Sequence, residues 1–297
     1  MKKKRRLKES VVMFLVSAAM SIGWYVMMFP VASDLVNRIF NQNSILSYHQ
    51  SMSSYSDEEM ADLLRDCMEY NQSIYEEQQE SEFRYRGPTA TGEDYMKVPT
   101  NSTGICTIRI PSIDVNLQVV HGTSDNDLQS SAGHLYGTSL PVEGESVHAV
   151  IAAHSALSTA KLFTDLPKIQ EGDIFYITIL NREYEYTVDQ IVTVLPEDDY
   201  KYEQIEEGKN YVTLYTCTPY GVNTHRLLVR GEMTGIQETH ATEDVFTLGE
   251  LMPVINRTVE LMLIVLLPFI VLIAGRMRNR RKHKRVQERK EENHDRS

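Results

Sequence analysis

Two apolar runs, each bordered by a basic cluster, constrain this chain more than any other feature of its sequence. The first has no charged residue between Ser10 and Ser33 and follows six Lys or Arg residues in positions 1–10. The second covers 261–275 and is followed at once by further Lys and Arg residues. About 20 apolar residues of helix cross a bilayer core of about 30 Å, and basic clusters stay in the cytoplasm. The sequence therefore predicts two membrane-spanning helices with both termini cytoplasmic.

Each apolar run has a competing interpretation. The first is also compatible with a cleaved signal peptide, but such peptides have apolar regions of about 7–15 residues that end in small residues. This run is longer and closes at 27–30 with two methionines, a phenylalanine and a proline. The second run is short and contains Pro268, so a helix in a protein core is its alternative. Because it has no polar face at any period, we favour a membrane helix.

The chain between the two runs is acidic and long enough for one large domain. The 297 residues carry a net charge of −11, and the ends 1–10 and 276–297 carry +5 and +6, which leaves −22 between them. A nucleic-acid-binding domain needs cations for phosphate contacts, so that class is excluded. Three cysteines are too few for a disulfide scaffold. We interpret the acidic part as an extracellular domain held by two anchors.

A helical prelude is predicted to follow the first anchor. Residues 33–80 are rich in Glu, Gln, Met and Leu, and Ser56 and Glu59 have the spacing of a helix capping box. Residues 81–103 then lose every apolar period and contain several glycines and prolines. Loops of about 20 residues inside a compact chain are commonly functional or disordered.

From Gly104 the sequence changes to short runs of β-branched and aromatic residues, which predict strands. Seven or so strands with few helices predict a mainly β domain, either a closed barrel or a sandwich. Periodicity alone does not separate the two. The predicted strands are 105–110, 115–120, 147–152, 173–179, 184–195, 211–216 and 227–230.

Three side chains have the chemistry for acyl transfer. Cys217 and His154 each follow a predicted strand, and Arg226 lies just before the next one. A thiolate attacks a carbonyl, an imidazolium protonates the leaving amine, and a guanidinium stabilises the oxyanion. Taken singly, each residue also has a purely structural interpretation, as a buried thiol, a satisfied histidine or a surface arginine.

The sequence around these residues resembles the class C, pilus-assembly sortases of Gram-positive bacteria. Residues 213–217, Thr-Leu-Tyr-Thr-Cys, resemble the T-L-x-T-C motif of sortases, and 218–231 resemble its class C continuation. The resemblance is strong over 104–231 and looser for the helical prelude and the paired anchors. Further matching segments are 108–113, 133–141 and 158–166.

This resemblance implies an eight-stranded, closed sortase β-barrel and a cysteine transpeptidase. The enzyme would cleave an LPxTG-like sorting signal and pass the acyl group to a pilin lysine, polymerising pili. Cys217 would be the nucleophile, His154 the general acid and base, and Arg226 the cation beside the oxyanion. Arg230 is the rival to Arg226, because residues four apart share a strand face. Substrate contacts are expected at Thr216, Thr218 and Leu157.

Two positions depart from the class C pattern. Gly-His-Arg-Gly is common around the histidine, whereas this chain has Ala-His-Ser-Ala at 153–156. The family's lid commonly carries Asp-Pro-aromatic, and this chain has no Asp-Pro dipeptide. The loop 81–103 occupies the right region for a lid, and we expect Phe83, Tyr85 or Tyr95 to act as its plug.

The expected organisation is a mainly β protein with helical flanks. The expected partners are pilin subunits with LPxTG-like signals and the lipid bilayer, without nucleic acid, cofactor or metal, and the catalytic domain is expected to be monomeric. A cysteine peptidase using water and a catalytically silent pilus-assembly scaffold are the alternatives. Cys67 and Cys106 are expected to be core thiols, with a disulfide between them as the alternative.

The segments are a basic end (1–10), a transmembrane anchor (11–32), a helical prelude (33–80), a lid loop (81–103), the barrel (104–235), a linker (236–257), a second transmembrane helix (258–275) and a basic tail (276–297).

Overall fold

The computed structural model describes residues 2–80, 95, 104–238 and 260. The chain divides into two units, 1–242 and 243–297, and the helices and strands named here belong to the first. Two helices come first, α1 (Lys2–Met52) and α2 (Asp57–Glu80). The strands are β1 (Cys106–Ile110), β2 (Val115–His121), β3 (Ala132–His134), β4 (Val147–Ala152), β5 (Ile174–Ile179), β6 (Arg182–Val194), β7 (Asn210–Thr218) and β8 (His225–Glu238).

The eight strands form a closed barrel, which decides between barrel and sandwich. Their order around the barrel is β1-β2-β3-β4-β7-β8-β6-β5. The pairs β2–β3 and β4–β7 are parallel, and the other neighbours are antiparallel. Closure leaves no unpaired strand edge within the sheet. The mainly β, eight-stranded barrel that the resemblance implies is therefore confirmed.

All seven strands predicted from composition are present, and β3 is the one that the prediction lacks. This strand has only three residues, Ala132–His134, which is too short to show an alternating pattern. It nevertheless closes the barrel, because it pairs with β2 on one side and β4 on the other. The last strand also runs further than predicted, to Glu238, which lies opposite Arg182 of β6.

The barrel interior is apolar. Side chains along each strand alternate between the interior and the outer face, so the buried residues show which of their neighbours face outward. Val212 and Leu214 of β7 are fully buried and belong to one core cluster with Ala149 and Ile151 of β4. Successive side chains of a strand point to opposite faces. Cys217 therefore lies on the outer face of β7, at the end of the strand.

Helix α2 begins at the predicted capping box and packs on the barrel. The Ser56 amide donates to Glu59 Oε2 at 2.8 Å, and the Glu59 amide donates to Ser56 Oγ at 3.3 Å. Asn71 then forms two hydrogen bonds with the backbone of Leu140, from Nδ2 to the carbonyl oxygen at 3.0 Å and from the amide to Oδ1 at 2.7 Å. Because Asn71 is buried, this pairing fixes the helix against the segment before β4.

Helix α1 joins the predicted anchor and the prelude without a break at position 33. By length and composition, Ala18–Met52 is the candidate membrane span in the described part of the chain, although a signal sequence near an N-terminus passes the same test. From Asp34 onward the helix contacts the barrel domain, beginning with a bond from the Lys161 amide to Asp34 Oδ1 at 3.0 Å. Asn41 Nδ2 donates to the Ser130 carbonyl at 2.6 Å, and the Tyr48 hydroxyl accepts from the Leu180 amide at 2.8 Å.

The second predicted membrane helix, 258–275, lies outside the described residues except for Glu260. The same holds for the basic tail 276–297 and for positions 239–257 of the predicted linker. Positions 236–238 belong to β8. Both anchors and the orientation of the termini therefore stay predictions.

Candidate active site

Cys217 differs from the other two cysteines in its exposure. It is partly exposed near the end of β7, whereas Cys67 and Cys106 are fully buried. Burial raises the pKa of Cys67 to about 12 and raises the pKa of Cys106 as well. All three thiols are free, so Cys67 and Cys106 are core thiols without a disulfide. A nucleophilic thiol must be accessible, and among the three only Cys217 meets that condition.

The strand β8 places Arg226 beside Cys217. These two residues are direct partners in the antiparallel β7–β8 register, so their side chains leave the sheet on the same face. Arg226 is partly exposed, as Cys217 is. The sequence prediction that an arginine accompanies the cysteine at the turn therefore agrees with the register.

The strand β4 brings His154 to the other side of Cys217. The parallel β4–β7 register ends with Ala152 opposite Tyr215, two residues before His154 and Cys217. Hydrogen bonds continue this pairing past the histidine, from the Ala153 amide to the Tyr215 carbonyl at 3.1 Å and from Ser155 Oγ to the Cys217 carbonyl at 2.6 Å. The residues on both sides of His154 are thus bonded to β7, at Tyr215 and Cys217.

The sequence pattern did not decide whether Arg226 or Arg230 accompanies Cys217, and the two arginines differ in the structure. Arg230 lies opposite Thr213 rather than Cys217. Its guanidinium donates to both carboxylate oxygens of Asp189, at 3.1 and 2.7 Å, and to Glu206 Oε1 at 3.0 Å. It also lies 4.0 Å from the centre of the Tyr211 ring. Arg230 is therefore already paired by two carboxylates, and the register favours Arg226.

Arg226 is held by neutral oxygen atoms. Its Nε donates to the Tyr215 hydroxyl at 2.9 Å, and Nη1 donates to the carbonyl oxygens of Asn223 and His225, each at 3.2 Å. The Tyr215 hydroxyl in turn donates to Asp199 Oδ2 at 2.8 Å. Sequence reasoning missed Tyr215 and Asp199. A signal existed for Tyr215, because it lies two residues before Cys217 and the two side chains therefore share one face of the strand.

The three expected substrate contacts fall in two groups. Thr216 is 1% exposed, and its hydroxyl donates to the Ala153 carbonyl at 2.7 Å. This side chain is therefore occupied inside the protein, where it helps to hold the segment before His154. Thr218 and Leu157 are partly exposed beside Cys217 and His154 in the sequence, and they remain the proposed contacts.

Of the three expected lid residues, only Tyr95 lies in the described part of the chain. It is 1% exposed, and its hydroxyl lies 2.9 Å from His134 Nδ1 and accepts from the Gly122 amide at 3.3 Å. Its ring contacts those of Tyr136 and His121. These contacts anchor Tyr95 at the ends of β2 and β3. Phe83 and Tyr85 lie outside the described residues.

The described residues do not contain a group of three His, Cys, Asp or Glu side chains placed to hold a metal ion. The histidine of β4, for example, has both ring nitrogens in contact with protein oxygen atoms. His148 Nδ1 lies 2.7 Å from the Gln204 carbonyl, and Nε2 lies 2.8 Å from Thr213 Oγ1. Its ring thus links β4 to β7 and to the segment before β7.

Comparison with known proteins gives consistent matches. The Sortase domain family matches residues 108–234. Sortase A of Bacillus anthracis is 30% identical over 129 residues, which are 43% of this chain and 59% of that protein. The chain spans little more than half the length of the Sortase A proteins that it matches, at 51–59%.

Solved structures match over nearly their whole length. Sortase C of Streptococcus pneumoniae, a sortase with pilin substrate specificity, is 39% identical with a TM-score of 0.58, covering 64% of this chain and 96% of that one. A lid mutant of Streptococcus agalactiae Sortase C1 is 38% identical with a TM-score of 0.59, covering 64% and 97%. With the closed barrel and with cysteine, histidine and arginine on or just after three adjacent strands, these matches show that the chain belongs to the sortase family, among the class C sortases.

Proposed function

We propose that this protein is a membrane-anchored cysteine transpeptidase that assembles pilin subunits. One observation carries the proposal. The one partly exposed thiol of the described cysteines lies near a strand end, with the segment around His154 bonded on one side and Arg226 paired on the other. A thiol, an imidazole and a guanidinium at the ends of neighbouring strands supply the nucleophile, the proton carrier and the oxyanion cation that acyl transfer needs.

In the first half-reaction the Cys217 thiolate attacks the carbonyl carbon of the scissile peptide bond in an LPxTG-like signal. The carbonyl oxygen becomes an oxyanion, which Arg226 stabilises. The carbon–nitrogen bond then breaks, and the His154 imidazolium gives its proton to the leaving amine. The products are a thioester on Cys217 and a released C-terminal fragment.

In the second half-reaction a lysine amine of the next pilin attacks the thioester carbon. The amine loses a proton to the neutral His154, and the carbon–sulfur bond breaks to release the Cys217 thiolate. An isopeptide bond now joins the two subunits, and the thiolate–imidazolium pair is restored. No outside oxidant or reductant enters either step.

Arg226 suits the oxyanion role because its own contacts leave its charge in place. Each of its protein partners in the described residues is a neutral oxygen, whereas Arg230 is paired with two carboxylates. A cation stabilises a developing oxyanion most when nothing has already neutralised it. The register opposite Cys217 supports the same assignment.

Two further parts of the proposal concern the surroundings of the site. The loop 81–103 acts as a lid, and Tyr95 anchors one part of it against the barrel through His134. The barrel lies outside the cytoplasmic membrane with both termini inside, as the basic clusters at 1–10 and 276–297 predict. Pilin subunits would then reach the site on the outer face of the cytoplasmic membrane.

Incubating the full-length protein in detergent with a pilin that carries an LPxTG-like signal tests the proposal. We expect SDS-resistant ladders of linked pilin, and none with the Cys217→Ala variant. A free carboxylate on the cleaved pilin without ladders would indicate the peptidase instead. Intact pilin, with a Cys217 thiol that resists a methanethiosulfonate reagent, would indicate the silent scaffold.

A further inference from the structure

We infer that Tyr215 is a positioning residue, whose hydroxyl holds the Arg226 guanidinium in place and ties it to Asp199. The inference rests on the proposed role of Arg226 and adds two residues to the site. Asp199 begins the short helix Asp199–Tyr202, which lies between β6 and β7. Two elements of the barrel, the β6–β7 segment and strand β7, would therefore control the orientation of one side chain of β8.

The contacts form a chain of charge-assisted hydrogen bonds. Arg226 Nε donates to the Tyr215 oxygen at 2.9 Å, and the Tyr215 hydroxyl donates to Asp199 Oδ2 at 2.8 Å. A hydroxyl can accept one bond and donate another at the same time. The direction of both bonds is thus fixed by chemistry, since a guanidinium only donates and a carboxylate only accepts.

These bonds restrain the guanidinium without neutralising it. The phenol stands between Arg226 and the Asp199 carboxylate, so the ion pair is indirect. Arg230, on the same strand face, shows the other arrangement, with carboxylate oxygens at 2.7 and 3.0 Å. A tyrosine bridge therefore gives Arg226 a fixed position while leaving its charge available for an oxyanion.

The remaining contacts leave one nitrogen of the guanidinium as a free donor. Nη1 donates to the Asn223 and His225 carbonyls, on the opposite side of the group from the Nε–Tyr215 bond. Within the described part of the chain, Nη2 donates to no protein atom. The bridge thus leaves Nη2 as the donor for a substrate carbonyl, and a rotated guanidinium would lose that arrangement.

The environment of Tyr215 keeps its hydroxyl protonated. Burial and the neighbouring Asp199 carboxylate raise the pKa of Tyr215 well above its ordinary range. The phenol therefore stays protonated near neutral pH and is both a donor and an acceptor there. Tyrosine occupies the variable position of the T-L-x-T-C motif, between Leu214 and Thr216, so the bridge is a feature of this chain and not of the motif.

A double-mutant cycle on the full-length protein in detergent separates positioning from folding. The probe is a fluorogenic peptide with an LPxTG pentapeptide, and the readouts are kcat, KM and the melting temperature. Tyr215→Phe removes only the hydroxyl, and we expect kcat to fall about tenfold with KM nearly unchanged. In the Arg226→Ala background the same substitution should change kcat less than twofold, because the hydroxyl then has nothing to hold.

Tyr211→Phe is the matched control. Tyr211 lies four residues earlier on the same face of β7, and its hydroxyl donates to Glu206 Oε2 at 3.4 Å. Its loss should leave kcat unchanged. Asp199→Asn keeps an acceptor for the phenol, so it should lower kcat by less than Tyr215→Phe does.

The outcomes distinguish this inference from the proposed function. If Arg226→Ala abolishes turnover but Tyr215→Phe keeps the parental kcat, the positioning role is wrong and the transpeptidase stands. A Tyr215→Phe loss that is equal in both backgrounds, or that follows the melting temperature, also contradicts positioning. If Arg226→Ala itself retains full activity, the role of Arg226 in the proposed function fails.

Discussion

The two arginines of β8 share a residue type, a strand and a face, yet they make different contacts. Arg226 lies opposite Cys217 and contacts neutral oxygens, and Arg230 lies opposite Thr213 and contacts two carboxylates. The side chain of Arg230 is only 17% exposed. We interpret Arg226 as part of the reaction and Arg230 as part of the framework.

Alanine substitutions at these two positions should therefore have opposite signatures. We expect Arg226→Ala to lower kcat by about 100-fold or more, the usual effect of losing an oxyanion donor, with little change in melting temperature. Arg230→Ala leaves Asp189 and Glu206 without their cation, so it should destabilise the fold by about 1 kcal/mol or more with a small change in kcat. Peptide kinetics and thermal melts measure both. The reverse pattern would make Arg230 the catalytic arginine.

The segment after His154 carries local backbone strain. Ala156, where the class C pattern commonly has glycine, has φ of 63° in the left-handed region, which costs an alanine about 1 kcal/mol. A hydrogen bond from the Ala156 amide to Thr164 Oγ1 at 3.1 Å stabilises this conformation. The departure from Gly-His-Arg-Gly thus has a measurable consequence.

Replacing Ala156 by glycine should relieve this strain. We expect Ala156→Gly to raise the free energy of unfolding by about 0.5–1 kcal/mol, because glycine adopts positive φ without a steric penalty. Ala160→Gly is the control in the same loop. It has no positive φ and should lower stability. Denaturant titration measures both, and equal losses would contradict the strain argument.

At the scale of elements, the ends of β2 and β3 hold Tyr95 through a buried chain of hydrogen bonds. The Gly122 amide donates to the Tyr95 oxygen, the Tyr95 hydroxyl donates to His134 Nδ1, and His134 Nε2 donates to the Ser139 carbonyl at 2.7 Å. These partners assign a neutral tautomer to His134. His121, Tyr136 and Tyr70 surround the Tyr95 ring.

This arrangement predicts a loss of stability in mild acid. Burial lowers the pKa of His134 and of His121 to about 4, below the ordinary histidine value of about 6.5. Between about pH 6.5 and 4 the unfolded chain binds more protons than the folded one, so stability falls as the pH falls through that window. For His134 we expect a loss of roughly 2–3 kcal/mol.

The variant His134→Gln tests the sign and the source of this effect. Glutamine can accept from Tyr95 and donate to Ser139 without titrating. The melting temperature of the full-length protein should fall less steeply between pH 6.5 and 4 in the variant than in the parent. An unchanged slope would show that His134 does not carry the pH dependence.

Local pattern predicts the strands and the helix cap but not the elements that depend on distant partners. The capping box at Ser56 and most strand limits follow from neighbouring residues alone. β3 is too short for a pattern and exists because β2 and β4 flank it. The bridge from Asp199 through Tyr215 to Arg226 joins positions 16 and 11 apart, and one sequence shows no sign of such a contact.

At the scale of the whole molecule, one continuous helix links the predicted anchor to the barrel. α1 contains the uncharged stretch that ends at Ser33, and its next residue, Asp34, accepts from the Lys161 amide at 3.0 Å. Lys161 belongs to the loop that follows His154. The end of the predicted anchor and the loop beside the site are therefore in direct contact, which would hold the site close to the membrane surface.

The orientation of the barrel can be tested with the one accessible thiol. In intact cells, a membrane-impermeant thiol reagent should label Cys217, because the barrel is predicted to lie outside and the other cysteines are buried. A Cys217→Ala variant provides the background. Labelling that requires permeabilised cells would place the barrel in the cytoplasm and overturn the predicted topology.

The central claim is that Cys217 carries the acyl group during transfer, and mass spectrometry of the acid-quenched, full-length protein tests it most directly. The protein is mixed with an LPxTG peptide without an amine acceptor, quenched and digested. The account predicts that the N-terminal part of the peptide, ending in threonine, is attached as a thioester to the fragment that contains Cys217. Peptide cleavage with Cys217 unmodified, or cleavage at the parental rate by the Cys217→Ala variant, would contradict it.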